Sequence, residues 1–425
     1  MGERGARNEP ATPEDIAAMA GVVRDALAAG ALGFTSSRTI GHRALDGEPV
    51  PGTFAREDEL FGIGGALGEL GRGVFELAEA GTGGLTAGDA LDAAEHELVW
   101  MERLSREIRR PVSFLVMQND QDPGMWRRLI ERADRADADG AWLVPQVAVR
   151  PFGILVGHQS RANPFAARPT YRQLADLPLA QRVVRLREPA VRRRILDERS
   201  DTAATPGTLS AQLTASMYAR LFPLGEPPDY EPPPEQSVAA MAAREQRSPE
   251  EVTYDLMLRH DGRELLIYTL LNYSEFSAEP IREMILHPRT VLGLGDGGAH
   301  CGIICDASMP TFALAHWTRD RRRGPLVPLE LMIKRLTRDT AQLYGLLDRG
   351  VIRPGMKADL NVLDFDNVQL RLPEMAFDLP GGARRLLQRA DGYAATIVAG
   401  EVTMRDGEPT AARPGRVIRG PQPPP

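Results

Sequence analysis

From residue 12 to residue 149 the chain switches repeatedly between a helical period and short apolar runs, a rhythm that few folds tolerate. "TPEDIAAMAGVVRDALAAG" opens on Thr12, Pro13 and Glu14. A capping threonine followed by a proline, whose missing N–H costs nothing in a first turn, starts a helix there. Apolar residues then recur at helical spacing until Gly30, which reads as the C-cap. "ALGFTSS" (31–37) follows as a short buried strand. The next helix is "REDELFGIGGALGEL" (56–70), and "RGVFELA" (72–78) is strand-like. A long helix over 87–109, with Trp100 and Met101 on its apolar face, leads to the strand "PVSFLVMQ" (111–118). The helix "PGMWRRLIERADRADAD" and the strand "AWLVPQVAV" (141–149) complete the series. Parallel neighbours need a crossover, and a helix in each unit of roughly 35 residues supplies it. The prediction is an α/β protein with a parallel sheet, and the run of repeats favours a TIM-like β/α barrel over an open sheet.

The alternation breaks from about 150 to 285, where "LGEPPDYEPPPEQ" (224–236) excludes regular structure through its prolines. This segment reads as an insertion, and insertions at that edge of a barrel cover the active-site face. A strand resumes at 290–295, and "PLELMIKRLTRDTAQLYG" (328–345) supplies an amphipathic helix ending at Gly345. "ADLNVLD" (358–364) and "ATIVAGEVTMRDGEP" (395–409) then carry hairpin turns at Ala-Gly-Glu and Asp-Gly-Glu. The predicted organisation is a β/α barrel portion over 1–345 and a small all-β portion over 346–425.

Composition excludes several classes. A net charge of -7 argues against nucleic acid as the main partner. The basic run "RDRRR" (319–323), interrupted by an Asp and followed by Gly-Pro, reads as a solvated loop. No 18-residue apolar run exists and "MGERGARNEP" is polar, so neither a membrane span nor a signal peptide is expected. Cys301 and Cys305 cannot build a disulfide framework, which favours a reducing, cytoplasmic compartment.

"TVLGLGDGGAH" (290–300) is the most distinctive stretch. Gly293, Gly295 and Gly298 spell G-x-G-x-x-G, but a dinucleotide site needs those glycines to open a helix within a compact βαβ unit. Here Gly302 and Pro310 interrupt any helix and no second strand follows within about thirty residues. Asp296 is therefore either a turn residue or a carboxylate projecting from the C-terminal end of a barrel strand, where catalytic groups of this architecture lie.

"LGLGDGGAH", then "PLELMIKRLTRDTAQLYGLLDRGVIRPGMKADLNVLDFD", then "TIVAGEVTMRDGEPTAARPGRVIRG" resemble the C-terminal half of an amidohydrolase-superfamily enzyme of the D-aminoacylase-like branch, the N-acyl-D-amino-acid deacylases. The resemblance is specific over about 290–420, through Ala341, Gly345, Gly350, Ile352, Gly355, Ala358, Asp359, Leu360 and Asp364, and consistent in strand order over 10–150. It implies a metal-dependent hydrolase of non-peptide C–N bonds that takes a small N-acyl amide, with zinc as the expected cofactor. It also implies that Asp296 binds metal and acts as general base, because metal-bound water is acidified and a carboxylate can shuttle its proton.

The family pattern further implies His-x-His on the first strand, a bridging ligand, and a His after each of strands five and six. The seven histidines stand at 42, 96, 158, 260, 287, 300 and 316, with no His-x-His. Counting back from 290–295 as strand eight makes 31–37 the fourth, so the chain reads as strands four to eight and the C-terminal half of a small β-sandwich, N-terminally incomplete relative to its family. Strand five then offers Glu76 and strand six Gln118 where histidines are expected. Lys334 and Lys357, the only lysines, lie off strand four, which removes a carboxylated-lysine bridge. His300 beside Asp296, and His42 after strand four, complete the candidate site-lining residues. Three readings follow: an N-acyl amide hydrolase; an inactive barrel fragment serving as a binding or assembly subunit, self-associating through unpaired strand edges; or a metal-independent site pairing Glu76 with Asp296.

Overall fold

The computed structural model describes every residue except 45, 82–92, 202–214, 296 and 298–299. Its strands up to residue 292 are β1 (Gly33–Ser37), β2 (Val74–Ala78), β3 (Val112–Val116), β4 (Leu143–Val147), β5 (Phe152–Val156), β6 (Leu221–Pro223), β7 (Leu266–Leu271) and β8 (Val291–Leu292). A five-stranded parallel sheet runs in the order β1-β2-β3-β4-β8. The helices Pro13–Ala29, Glu57–Leu70, Ala93–Ile108 and Met125–Ala138 alternate with its first four strands. The α/β class and all five predicted parallel strands are thus present. Part of the helix expected over 87–109 lies outside the described residues, and its described portion starts at Ala93.

Local chemistry accounts for the element boundaries. Thr12 Oγ1 accepts the Asp15 N–H at 3.2 Å while the Asp15 carboxylate accepts the Thr12 N–H at 2.9 Å, a reciprocal cap that begins the first long helix. That helix stops at Gly30, whose φ of 110° is left-handed and closed to side-chain-bearing residues.

The parallel sheet buries both faces, and its register separates two environments. Outward residues such as Phe75, Leu77, Phe114, Val116, Leu143 and Val147 join Trp100, Leu104 and Leu129 of the covering helices in the main core. Inward, Val74, Val144 and Val291 meet Leu343 in a separate small cluster. One layer further along the strands, Thr35, Glu76 and Ser113 stand in register, and Gln146 bonds to the last two. The interior of the sheet therefore turns from apolar to polar toward its carboxyl ends.

The insertion contains more regular structure than its prolines suggest. β5, β7 and β6 form a three-stranded antiparallel sheet, and short helices including Val238–Glu245 and Pro249–Met257 pack beside it around Tyr171, Leu186, Ile195 and Tyr254. Within 224–236 only the 3-10 turn Pro234–Gln236 is regular, as the prolines require.

After β8, the helical stretch 329–343 ends at Gly345, whose φ is 70°. Strands Leu360–Leu363, Tyr393–Val398, Glu401–Arg405 and Glu408–Pro409 make a four-stranded antiparallel sheet, with the predicted turn at Ala399 and Gly400. The Pro-rich tail returns to the start of the chain: the Gly420 N–H donates to the Gly30 carbonyl at 2.8 Å. No helix among the described residues is long and apolar enough to cross a membrane.

One local expectation is overturned. The run 319–323 is not a solvated loop, because Arg321 is 5% exposed and its guanidinium bonds both oxygens of Glu231 at 3.1 Å. Arg323 donates to the Tyr273 hydroxyl at 2.7 Å and to the Glu231 carbonyl at 3.0 Å. The insertion supplies the buried carboxylate and carbonyls that a reading of neighbouring residues cannot see.

Candidate functional site

A cavity of about 1220 Å³ opens at the carboxyl ends of β1 and β2. Ser37 and Ala78 lie on its sheet side, while Phe152, Ile154, Leu270 and Leu271 of the antiparallel sheet contribute apolar wall. Glu76, His42, His300 and Asp306 bring chemistry to it.

Glu76 stands in the polar layer of the sheet. Its Oε1 accepts from Gln146 Nε2 at 2.8 Å, and its Oε2 accepts from the Tyr344 hydroxyl at 2.9 Å. Gln146 Nε2 donates also to Ser113 Oγ at 2.9 Å, and Ser113 Oγ donates to the Val144 carbonyl at the same distance. Both carboxylate oxygens are thereby committed to protein donors. Burial, and then the neighbouring Glu76, push the Tyr344 phenol above its ordinary pKa, so it remains a proton donor to the carboxylate.

Gly293 makes room for this arrangement: a Cβ there would stand 2.6 Å from Gln146 Oε1 and 3.4 Å from its Cβ. Since Gln146 is held at its far end, Gly293→Ala is expected to cost about 1–3 kcal/mol through overpacking. Urea unfolding measures it, and an unchanged midpoint would mean that Gln146 is free to move aside.

His42 and His300 face each other with ring centroids 6.2 Å apart. His42 Nδ1 bonds the Ser37 hydroxyl at 2.7 Å, which ties the loop after β1 to the strand's end. Although His42 keeps solvent-exposed surface, the surrounding protein displaces enough water to lower its pKa, and His300 lowers it further. The charged form of His42 is therefore disfavoured. His300 itself sits at φ 49°, in the left-handed region.

Gln118 is placed elsewhere. It is 1% exposed, does not reach the cavity wall, and its Oε1 accepts from the Ser274 N–H at 3.1 Å. Its backbone N–H donates to Asn272 Oδ1 at 2.7 Å, so it pins the insertion to the end of β3. The residue is structural because its polar atoms are used in joining those segments. Asp296, for which the resemblance implies metal binding and general-base catalysis, lies outside the described residues.

Asp306 was not anticipated from sequence. Arg150, 2% exposed, bonds Asp306 Oδ1 at 3.2 Å, Ser308 Oγ at 3.0 Å and the Cys305 carbonyl, with its guanidinium 4.0 Å from the Tyr230 ring centroid. The only local signal was an arginine directly after an apolar strand. Gln146 offered a similar one, a lone amide in "LVPQV".

Among the described residues, no three His, Cys, Asp or Glu side chains converge as a metal site would require. Glu76 is occupied by Gln146 and Tyr344, and Gln118 faces the insertion. The described residues therefore do not fit the metal centre that the sequence resemblance implies.

Comparison with known proteins places these observations. A model of the amidohydrolase family matches residues 1–404. No curated protein sequence matches the chain significantly. Among solved structures, D-aminoacylase, described as defining a novel subset of amidohydrolases, is 20% identical with a TM-score of 0.53. N-acyl-D-glutamate deacylase from Bordetella bronchiseptica, complexed with zinc and a phosphonate inhibitor, is 20% identical with a TM-score of 0.51. Each match covers 97% of this chain and 68% of the other. At that identity the likeness is one of fold.

Proposed function

The chain belongs to the amidohydrolase family, and from that premise we propose that it takes a small N-acyl amide and hydrolyses its non-peptide C–N bond as an N-acyl-D-amino-acid deacylase does. The observation that carries the reading is the cavity at the carboxyl ends of β1 and β2, where an apolar wall suits an acyl chain and Glu76, His42, His300 and Asp306 supply polar groups. On this reading Asp296, four residues after the end of β8 in sequence, takes the proton from the attacking water. Zinc is the ion tested first, since the Bordetella deacylase was solved with it. The described residues assemble no metal centre, so the proton transfer to Asp296 is the step proposed for the chain's own residues.

The test is hydrolysis of a panel of N-acyl-D-amino acids, with bound zinc measured on the same preparations. Hydrolysis is expected, and Asp296→Asn should reduce kcat by at least about 10²-fold, the usual contribution of a positioned general base. Hydrolysis that persists unchanged in that variant would remove Asp296 from the reaction. No turnover of any substrate by zinc-supplemented protein would remove the deacylase reading.

A second reading, an inactive binding or assembly subunit, is favoured by the full occupation of Glu76 and by the edge position of β1, which among the described residues pairs only with β2 in the parallel sheet. An exposed strand edge favours association with another chain. Light scattering should then report an oligomer, and a stable monomer would count against it.

A further inference from the structure

The cavity at the carboxyl ends of β1 and β2 carries fixed charge mostly of one sign. Although 51 of the 425 residues are lysine or arginine, none of them lines it, whereas Glu9, Glu59, Glu76 and Asp306 do. Against these carboxylates stand only the amino group of Met1 and the imidazoles of His42 and His300. The residues outside the described set contain no lysine, arginine or histidine, so none of them can add a cationic side chain to the wall.

Two of the carboxylates are answered by arginines from outside the wall: Glu9 pairs with Arg4 at 3.2 Å, and Asp306 with Arg150 at the same distance. The other two are not. Among the described residues Glu76 accepts only from Gln146 and Tyr344, neutral donors that hold a carboxylate without cancelling its charge. The Glu59 carboxylate, partly buried, has no hydrogen bond or ion pair among the described residues. Burial, and then Asp58, raise its pKa above the ordinary carboxylate value, and Arg38 offsets them only in part. Beside these charges the wall is apolar and unfilled: Val22, Phe54 and Leu270 are 69%, 53% and 41% exposed, surface that an acyl chain would cover.

We propose that the amide taken by this cavity carries a positive charge on its amine side, as an N-acylated diamine does, with the acyl chain on the apolar wall and the ammonium at Glu59. Uncancelled carboxylates attract an ammonium and repel a substrate carboxylate, and apolar surroundings strengthen both effects. Resting on the amide reading, this assignment names the substrate class within it, and it is tested by binding so that hydrolysis can fail separately.

Isothermal titration at low ionic strength compares amides that share one acyl chain: N-hexanoylputrescine (a cation), N-hexanoylbutylamine (neutral) and N-hexanoyl-γ-aminobutyrate (an anion). The cation is expected to bind about tenfold tighter than the neutral amide, with the anion weakest. E59Q should bind the neutral amide as the parent does, which shows an intact cavity, and should lose most of the preference for the cation. E131Q, on the exposed surface of the helix Met125–Ala138 and outside the cavity wall, should keep the parent's preference. Hydrolysis is assayed on the same amides. Preference without turnover supports the charge assignment and removes the deacylase reading, and turnover without preference does the reverse. The assignment is overturned if no amide saturates by about 20 mM, if the cation binds no tighter than the other amides, if E59Q keeps the full preference, or if E131Q loses it.

Discussion

Replacing Arg321 with alanine is expected to destabilise the protein by about 3–5 kcal/mol, the cost of leaving a buried charge without its partner. Arg321 and Glu231 are 5% and 2% exposed, and both guanidinium–carboxylate contacts measure 3.1 Å. Removing the arginine leaves the carboxylate with His316 Nε2 at 3.2 Å and the Ala278 N–H at 3.0 Å. Denaturant unfolding measures the loss. A double replacement, E231Q with R321M, should cost less than the alanine, since no orphaned charge remains. If R321A loses less than about 1 kcal/mol, water reaches Glu231 after the truncation and the pair is not truly dry.

The same pair makes stability depend on pH in a defined direction. Burial alone would raise the Glu231 pKa, but His316, Arg321 and the Ala278 N–H outweigh it and bring it down to about 2. A carboxylate depressed from 4.5 stabilises the fold fully above its unfolded value, and that contribution fades as pH falls from about 4.5 toward about 2. The thermal midpoint of the parent should therefore drop faster across that window than that of E231Q. Parallel curves would show that Glu231 does not titrate with folding.

Trp317→Ala should produce a loss of similar size, about 3–5 kcal/mol, from a large cavity and a broken hydrogen bond. The indole is fully buried, its Nε1–H donates to the Val149 carbonyl at 2.6 Å, and Arg321 lies 4.7 Å from the ring centroid. Val149 adjoins Arg150, which holds Asp306 in the wall of the first cavity. The replacement is thus expected to loosen the site as well as the core. Because Trp317 and Arg321 touch, the double variant W317A/R321A should lose less than the two single losses together. Strict additivity would contradict the packing of one against the other.

Much of the α/β frame is legible locally. The apolar runs at 31–37, 72–78, 111–118, 141–149 and 290–295 contain all five parallel strands, and Gly30 and Gly345 end their helices in left-handed backbone as expected. Such features are set within a few residues, by which face needs burial and which φ a side chain permits. The insertion was legible only as a break in rhythm. Its antiparallel sheet pairs β5 with a strand more than one hundred residues later, and no local period announces such a partner.

The site divides the same way. Glu76 could be found from its place near the end of a strand and His42 from its place after one, and both line the cavity. Gln118 occupied an equivalent place and turned instead to the Ser274 N–H, a contact across 156 residues. Tyr344 reaches Glu76 across 268 residues, and the arginine run at 319–323 is buried by a carboxylate 90 residues away from Arg321. By itself the sequence determined where strands and helices lie, because backbone geometry and side-chain period act at short range. Only the tertiary structure decided which polar groups are satisfied, which charges leave water and which side chains face a cavity. Those outcomes depend on desolvation by segments distant in the chain, and desolvation has no local signature.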